Sequence, residues 1–315
     1  VIGMPATGNR LAYYSFGLII ESEFPLPELP LPSAYTGGQS PDLTVRQDEL
    51  GSLWSEAKRI SDYLAIHEDT VLIRVPDTAI LGMRAGKEII ISPFGKADPD
   101  KIRLYILGTC MGVILMQRKV LPLHGSAVAI AGKAYAIVGM SGAGKSTLAS
   151  LLLADGGQLI SDDLIAVTLD AAGQPYAQPA YPQQKMWQDT IGLLGMNAGE
   201  LRPLFERETK FAVPVPAQFC GSALPLAGIY ELVKTESDAA IQPIAGLEKF
   251  HTLLQHTFRG FLLEPLGLME WHFRTLTQFA LHLPMQRLHR PQAQAAGFSA
   301  PKLSAYILNQ ILKGD

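Results

Sequence analysis

Apolar and polar positions in residues 11 to about 98 follow one another in short runs: LAYYSFGLII, DYLAIHE, TVLIRV, AILGMR and EIIISPF. Pro, Gly, Asp and Lys-rich turns separate them, a spacing that predicts a β-rich N-terminal domain over 1–99. One stretch departs from the pattern. Residues 24–42 hold Pro25, Pro27, Pro30, Pro32 and Pro41 with Gly37 and Gly38, and are expected to form an exposed loop. The KADPDK segment at 96–101 then leads into a helix over about 100–119, where the domain boundary is expected. Its apolar run, LYILGTCMGVILM, covers 13 residues. A membrane-spanning helix needs about 20, so the run predicts a buried core helix.

The pattern changes after that helix. SAVAIAG (126–132) and KAYAIVG (133–139) read as two strands joined by a tight turn at Gly132-Lys133. The second strand feeds GMSGAGKST, and LASLLLADG then has helical character. QLISDD (158–163) reads as a short strand ending in two aspartates, and LIAVTLD follows with a turn at Ala171-Ala172-Gly173. Segments 247–263 and 268–283 show helical spacing, with Leu247, Phe250, Leu254, Phe258 and Phe261 in the first. The fold class expected is α/β, with a catalytic domain over 100–315. Its sheet is mixed, because a hairpin strand precedes the loop strand.

Residues 139–146 fit the GxxxxGK[ST] pattern between a strand and a helix. The glycines let successive backbone N–H groups point into one concavity, and the helix N-terminus adds partial positive charge there. Gly139, Met140, Ser141, Gly142, Ala143, Gly144, Lys145, Ser146 and Thr147 are therefore the candidate nucleotide-binding residues. Lys145 would reach the β- and γ-phosphates, and Ser146 would ligate Mg²⁺, or Mn²⁺ in its place. Asp162 and Asp163 follow Lys145 by 17 and 18 residues, so one helix and one returning strand bring them back beside the loop. One carboxylate could serve the metal and the other take a proton from an attacking hydroxyl. In an extended strand the two point to opposite sides, so their roles should differ.

His124, in LPLHGSAVAI, stands at the start of the strand before the loop strand and is either a functional or a packed histidine. Arg202, Arg207 and Lys210 lie in RPLFERETK beside Glu206 and Glu208, which predicts a solvated surface segment; Lys185 in YPQQKMW can be read either way. His251, His256, His272, His282 and His289 have no metal-ligand spacing and are assigned to helix faces.

Composition narrows the partners. Of 315 residues, 26 are Lys or Arg and 29 are Asp or Glu, giving a formal net charge of −3. No basic excess points to nucleic acid. Cys110 and Cys220 cannot make a disulfide scaffold, and there is no Cys/His ligand cluster. With no apolar span or signal-like start, a cytoplasmic protein is expected. The apolar C-terminal helices permit a homo-oligomer.

The arrangement LPLHGSAVAI, GMSGAGKST, LISDD resembles the catalytic domain of HPr kinase/phosphorylase, the bacterial serine kinase related to phosphoenolpyruvate carboxykinase. SFGLIIESEFPLPELP and YPQQKMW are also similar to the HPr-kinase-like enzymes of lasso-peptide gene clusters, which phosphorylate the C-terminal serine of a precursor peptide. The wider resemblance covers about residues 121–170. It implies an ATP- and Mg²⁺-dependent kinase acting on a serine hydroxyl of a peptide. Lys145 and Ser146 would hold phosphates and metal, Asp162 would be the base, Asp163 the metal-side carboxylate, and His124 a partner tuning the aspartate. The glutamate-bearing signature that follows the Asp-Asp pair in HPr kinase/phosphorylases is not found, so neither action on HPr nor the reverse reaction is carried over. Two other readings stay open: a small-molecule kinase of the same fold, and a nucleotide-binding sensor or assembly protein with little catalysis.

Overall fold

A computed structural model of the chain describes residues 10–33, 40–204, 207–236, 240–291 and 300–313. It divides into two compact units, residues 1–120 with 261–270, and residues 121–260 with 271–315.

The first unit is β-rich, as its short apolar runs predict. β1 (Leu11–Ser15) turns at Phe16-Gly17, both with positive φ, into β2 (Leu18–Ser22). β3 (Leu43–Gln47), helix α1 (Gly51–Glu56), β4 (Lys58–Ser61), β5 (Leu64–His67), β6 (Thr70–Val75), β7 (Ala79–Arg84) and β8 (Glu88–Pro93) follow. The eight strands pair in the order β1-β2-β3-β8-β7-β6-β5-β4 among the described residues. The proline-rich stretch has no regular structure over its described residues, 24–33 and 40–42, as expected, but it is not wholly exposed; Gly37 and Gly38 lie outside the described residues. Phe24, Leu26 and Leu29 are buried, and Leu26 N donates to the Tyr13 hydroxyl at 3.0 Å. The prolines remove backbone donors, while the apolar side chains between them still gain by leaving water.

Helix α2 (Pro99–Tyr105) starts at Asp98, whose carboxylate caps Asp100 N, with Pro99 in the first turn. It passes through a π-helical turn, Ile106–Cys110, into α3 (Met111–Gln117), and every residue of 106–116 is buried. This helix belongs with the β-rich unit, so the units divide at 120/121 and not at the expected 99/100. Long-range contacts decide the matter. The Gln117 side chain donates to Asp69 O and Met83 O and accepts from Gly86 N, while Arg118 donates to Gly86 O.

The second unit is a three-layer α/β/α sandwich. Its strands are β9 (Leu121–Leu123), β10 (Gly125–Ile130), β11 (Lys133–Val138), β12 (Gln158–Ser161), β13 (Ile165–Leu169), β14 (Pro175–Gln178), β15 (Gln183–Trp187), β16 (Arg202–Leu204), β17 (Arg207–Pro214), β18 (Leu224–Thr235), β19 (Ala240–Pro243) and β20 (Met285–Pro291). Its helices are α4 (Lys145–Ala154), α5 (Gln188–Leu193), α6 (Leu247–Gln255), α7 (Met269–His282), which begins in the first unit, and α8 (Ala300–Lys313). The main sheet runs β12-β10-β11-β18-β14-β13-β9, with β20 on β18; β11, β18 and β20 are mutually parallel, whereas β10 is antiparallel to β11. The sheet is thus mixed, as expected. The β10–β11 turn falls at Ala131-Gly132, one residue before the position expected, because both take the positive φ that a two-residue hairpin turn needs.

Alternation along β10 and β11 builds the two cores. Ala127, Ala129, Ala134, Ala136 and Val138 face Leu253, Leu276 and Phe279 of α6 and α7. Val128, Ile130, Tyr135 and Ile137 face Leu148 and Leu152 of α4 and Leu303 and Ile307 of α8. β15, β17 and β16 form a small separate sheet.

Candidate active site

The loop 139–144 leaves the carboxyl end of β11, an interior strand, and enters α4, so the sequence pattern has the strand–loop–helix setting its chemistry requires. Gly139 has φ +151°, and a Cβ there would stand 2.5 Å from the carbonyl oxygen of Leu232 on β18. No other residue fits without moving the sheet. Gly144, at φ +106°, is the left-handed residue that turns the chain into α4. Lys145 is buried and donates from Nζ to Gly139 O at 2.8 Å and Met140 O at 3.1 Å, holding the loop curled over its ammonium. Burial pulls this ammonium's pKa down, opposed by the charges of Asp163 and Asp162. Thr147 is tied to α5 by a 2.7 Å hydroxyl pair with Thr190.

β12 ends at Ser161 and delivers both aspartates to the loop, where they meet different partners. Asp162, expected as the proton acceptor, is buried and lies beside the loop serine. Its Oδ1 accepts from Ser126 Oγ at 2.6 Å and Ser146 Oγ at 3.2 Å, and its Oδ2 accepts from Lys185 N at 2.7 Å. Asp163, expected at the metal, has φ +72° and turns toward His124 and Lys185. Lys185 Nζ donates to its Oδ2 at 2.7 Å. His124 Nδ1 sits 3.0 Å from Asp163 O and 3.6 Å from Oδ1. Both are acceptors, so Nδ1 carries the proton and Nε2 the lone pair.

Electrostatics follow from this packing. Burial pushes the Asp163 carboxyl up, but Lys185, with charge from His124 and Lys210, overrides it and holds the group well below the usual carboxylate range. Burial likewise opposes the Lys185 ammonium, and Asp163 wins there too, raising its pKa. His124 is pulled below 6.5, first by burial and then by Lys145, so the imidazole is neutral at pH 7.

Of the lysines left ambiguous or assigned to solvent, two come to the site. Lys185, on β15, is buried in the ion pair. Lys210, opposite Trp187 on β17, places its ammonium 5.3 Å from that ring centre and close enough to act on His124, Lys145 and Asp163. Arg202 is exposed on β16, and the Arg207 side chain, with Glu206 and the Glu208 side chain, lies outside the described residues. Ser126, on β10, joins the site as well, a residue that no motif in the sequence marks. His289 lies on β20 and not on a helix, and His256 follows α6 with Nε2 3.0 Å from Glu231 Oε1.

Among the described residues, no group of three or more His, Cys, Asp or Glu side chains converges as a metal cage. The pair Ser146 hydroxyl and Asp162 carboxylate still suits Mg²⁺, an ion that is usually held by one or two protein oxygens, with water and substrate phosphates completing the shell. The arrangement as a whole can cradle a polyphosphate beside a neutral imidazole and an ion-paired carboxylate. Among the described residues no helix is long and apolar enough to cross a membrane.

Comparison with known proteins yields little. No protein-family model matches the sequence, and no curated protein does. Among solved structures, the chain has a likeness to the Hpr(Ser) kinase/phosphatase from Coxiella burnetii, at 15% identity and a TM-score of 0.33, covering 61% of this chain and 97% of that one.

Proposed function

We propose that the chain is an ATP- and Mg²⁺-dependent phosphotransferase that phosphorylates a hydroxyl, specifically a serine hydroxyl of a peptide. The observation that carries this reading is the junction of Ser146 and Asp162, 3.2 Å apart, with the His124–Asp163–Lys185 cluster on the adjoining residue. A loop that only sensed nucleotide would need the first pair and not the second. The choice of a serine peptide comes from the resemblance of LPLHGSAVAI, GMSGAGKST and LISDD to HPr kinase/phosphorylase, and of SFGLIIESEFPLPELP and YPQQKMW to the HPr-kinase-like enzymes acting on lasso-peptide precursors.

The loop N–H groups and Lys145 hold the β- and γ-phosphates, and Lys145 leaves the loop carbonyls to do so. Ser146 and Asp162 hold the metal, which supplies neutralisation of phosphate charge when bound. The acceptor's oxygen attacks the γ-phosphorus and its proton passes to His124 Nε2. The bond from γ-phosphorus to the bridging oxygen breaks and ADP leaves. Asp163 keeps the imidazole in the tautomer with Nδ1 protonated and stabilises the imidazolium that forms, while Lys185 fixes Asp163. Asp162 is given the metal because its Oδ1 accepts from the loop serine, Ser146 Oγ, at 3.2 Å.

The test is an intact-mass assay with Mg²⁺, ATP and a panel of serine-containing peptides, including any precursor encoded beside the gene. A gain of one phosphate on a peptide, absent with Lys145→Ala, is expected. Nucleotide binding without transfer to any peptide would overturn the peptide-kinase reading.

A further inference from the structure

The small sheet of β15, β17 and β16 meets the reacting cluster through β15, whose two faces part company. Gln184 and Met186 turn to α4, where Ser150 Oγ donates to Gln184 Oε1 at 3.3 Å and lies 3.7 Å from Met186 Sδ. Lys185 turns the other way, to Asp163, and alternation puts Trp187 on its side. Across the ladder Trp187 stands opposite Lys210 and Lys185 opposite Ala212, so one face presents Lys185, Trp187, Lys210 and Ala212. Two observations agree on where that face looks. The Lys210 ammonium sits 5.3 Å from the Trp187 ring centre, and its charge reaches His124, Lys145 and Asp163. Neither Trp187 nor Lys210 has a part in the proton transfer.

We infer that this face is the docking surface for the acceptor, and that it takes an extended peptide, running along β15, with a Glu or Asp side chain two residues from the serine. The inference rests on the peptide-kinase reading.

Geometry supplies the spacing. Lys185 marks the level of the reacting cluster, because it holds Asp163 and Asp163 holds His124. Trp187 and Lys210 stand two residues farther along β15, a step of about 7 Å. An extended peptide repeats its side-chain direction every two residues with the same rise. A serine at His124 therefore brings the side chain two positions away level with Lys210, while the residue between them points off the face.

Chemistry supplies the charge. The described side chains of this face include two ammonium groups and no carboxylate, and Asp163 accounts for Lys185. An ammonium has three donors, so Lys210 can serve a peptide carboxylate besides the contacts it already makes. Trp187 contributes twice. Its ring holds the ammonium by cation–π attraction and, being 40% exposed, leaves apolar surface for the methylene stem of the acidic side chain. The support is fixed: Lys185 N donates to Asp162, and Thr190, just beyond Trp187, is tied to Thr147 of α4.

The experiment measures rates of phosphate incorporation by the full chain, with Mg²⁺ and ATP, on serine peptides built on one uncharged sequence. Glu or Gln is placed two residues before the serine, two after it, or next to it. In wild type, one of the two-residue Glu peptides should exceed its Gln counterpart about three- to fivefold in kcat/KM, through KM, the size of an ion pair that water reaches. Glu next to the serine, pointing off the face, should gain under about twofold. Lys210→Gln should bring the Glu/Gln ratio to about one, and Trp187→Leu should lower it. The ratio cancels any loss common to both peptides, so poor folding or slowed transfer in a variant does not imitate the result. A wild-type ratio of one would overturn the docking surface and leave the kinase reading standing. So would a Lys210→Gln variant that slows both peptides alike and keeps the ratio, which would give Lys210 to the phosphoryl group. Phosphate on no peptide with wild type would overturn the peptide-kinase reading and the docking surface with it.

Discussion

Asp163→Asn tests the buried ion pair most directly. Asparagine keeps the shape of the side chain and tolerates the left-handed φ of +72° at this position, so the backbone is not the variable. What changes is charge: the Lys185 ammonium, with its side chain 9% exposed, loses the carboxylate 2.7 Å away. Removing one partner of a buried pair costs about 3–5 kcal/mol. The Asp163 side chain is 27% exposed, so water reaches the pair and the lower end, about 3 kcal/mol, applies. For a domain of 150–250 residues each kcal/mol moves the melting point by about 2–4 °C, giving a drop of about 6–12 °C by circular dichroism at pH 7. Adding Lys185→Met removes the stranded charge and should restore most of that loss. Because the folded carboxyl titrates below its unfolded value, its stabilisation is complete at neutral pH. It fades only as the pH falls below about 4. The gap between wild type and Asp163→Asn should therefore be constant from pH 7 to 5 and narrow below that. A variant melting within 2 °C of wild type, or a double variant no better than the single, would refute the reasoning.

Other expectations concern chemistry. The proton acceptor must be unprotonated, and His124 is shifted below 6.5, so the transfer rate should be flat above pH 7 and fall in acid through a value under 6.5. His124→Asn should lower kcat by about 10²–10⁴-fold and remove that acid limb; an unchanged limb in the pH–rate profile would exclude the imidazole. Asp162→Asn should raise the Mg²⁺ concentration for half-maximal activity at least tenfold, read by metal titration, and an unshifted curve would remove Asp162 from the metal.

The strand–loop–helix setting of residues 139–147 was legible because its demands are local: positive φ at Gly139, Gly142 and Gly144, a lysine one residue on, and a strand before. The return of the aspartates was legible for a similar reason, since one helix and one short strand separate them from Lys145. Which aspartate faces which partner was not. Alternation along a strand assumes extended backbone, yet β12 stops at Ser161 and Asp163 is left-handed. Lys185 was hidden because nothing in YPQQKMW announces that β15 will lie against Asp162, its own amide included. The helix over 99–117 lies where the apolar pattern predicts but belongs to the β-rich unit. Helical spacing names the buried face but not the turn, Asp69 and Gly86, to which its last residues are stitched.

The return of residues 261–270 to the β-rich unit has a practical meaning for anyone who wishes to express the halves apart. The chain crosses between the units at 120/121, 260/261 and 270/271, so no single cut releases the half that carries residues 139–147 whole. A fragment beginning at 121 carries a ten-residue passenger that includes Leu262 and Leu263, both almost wholly buried in the intact protein. Exposing each would cost about 1.5–3 kcal/mol and leave an adhesive patch. A soluble half would have to be made by excising 261–270 and rejoining the chain with a short glycine–serine bridge, an edit that falls in α7's first turn.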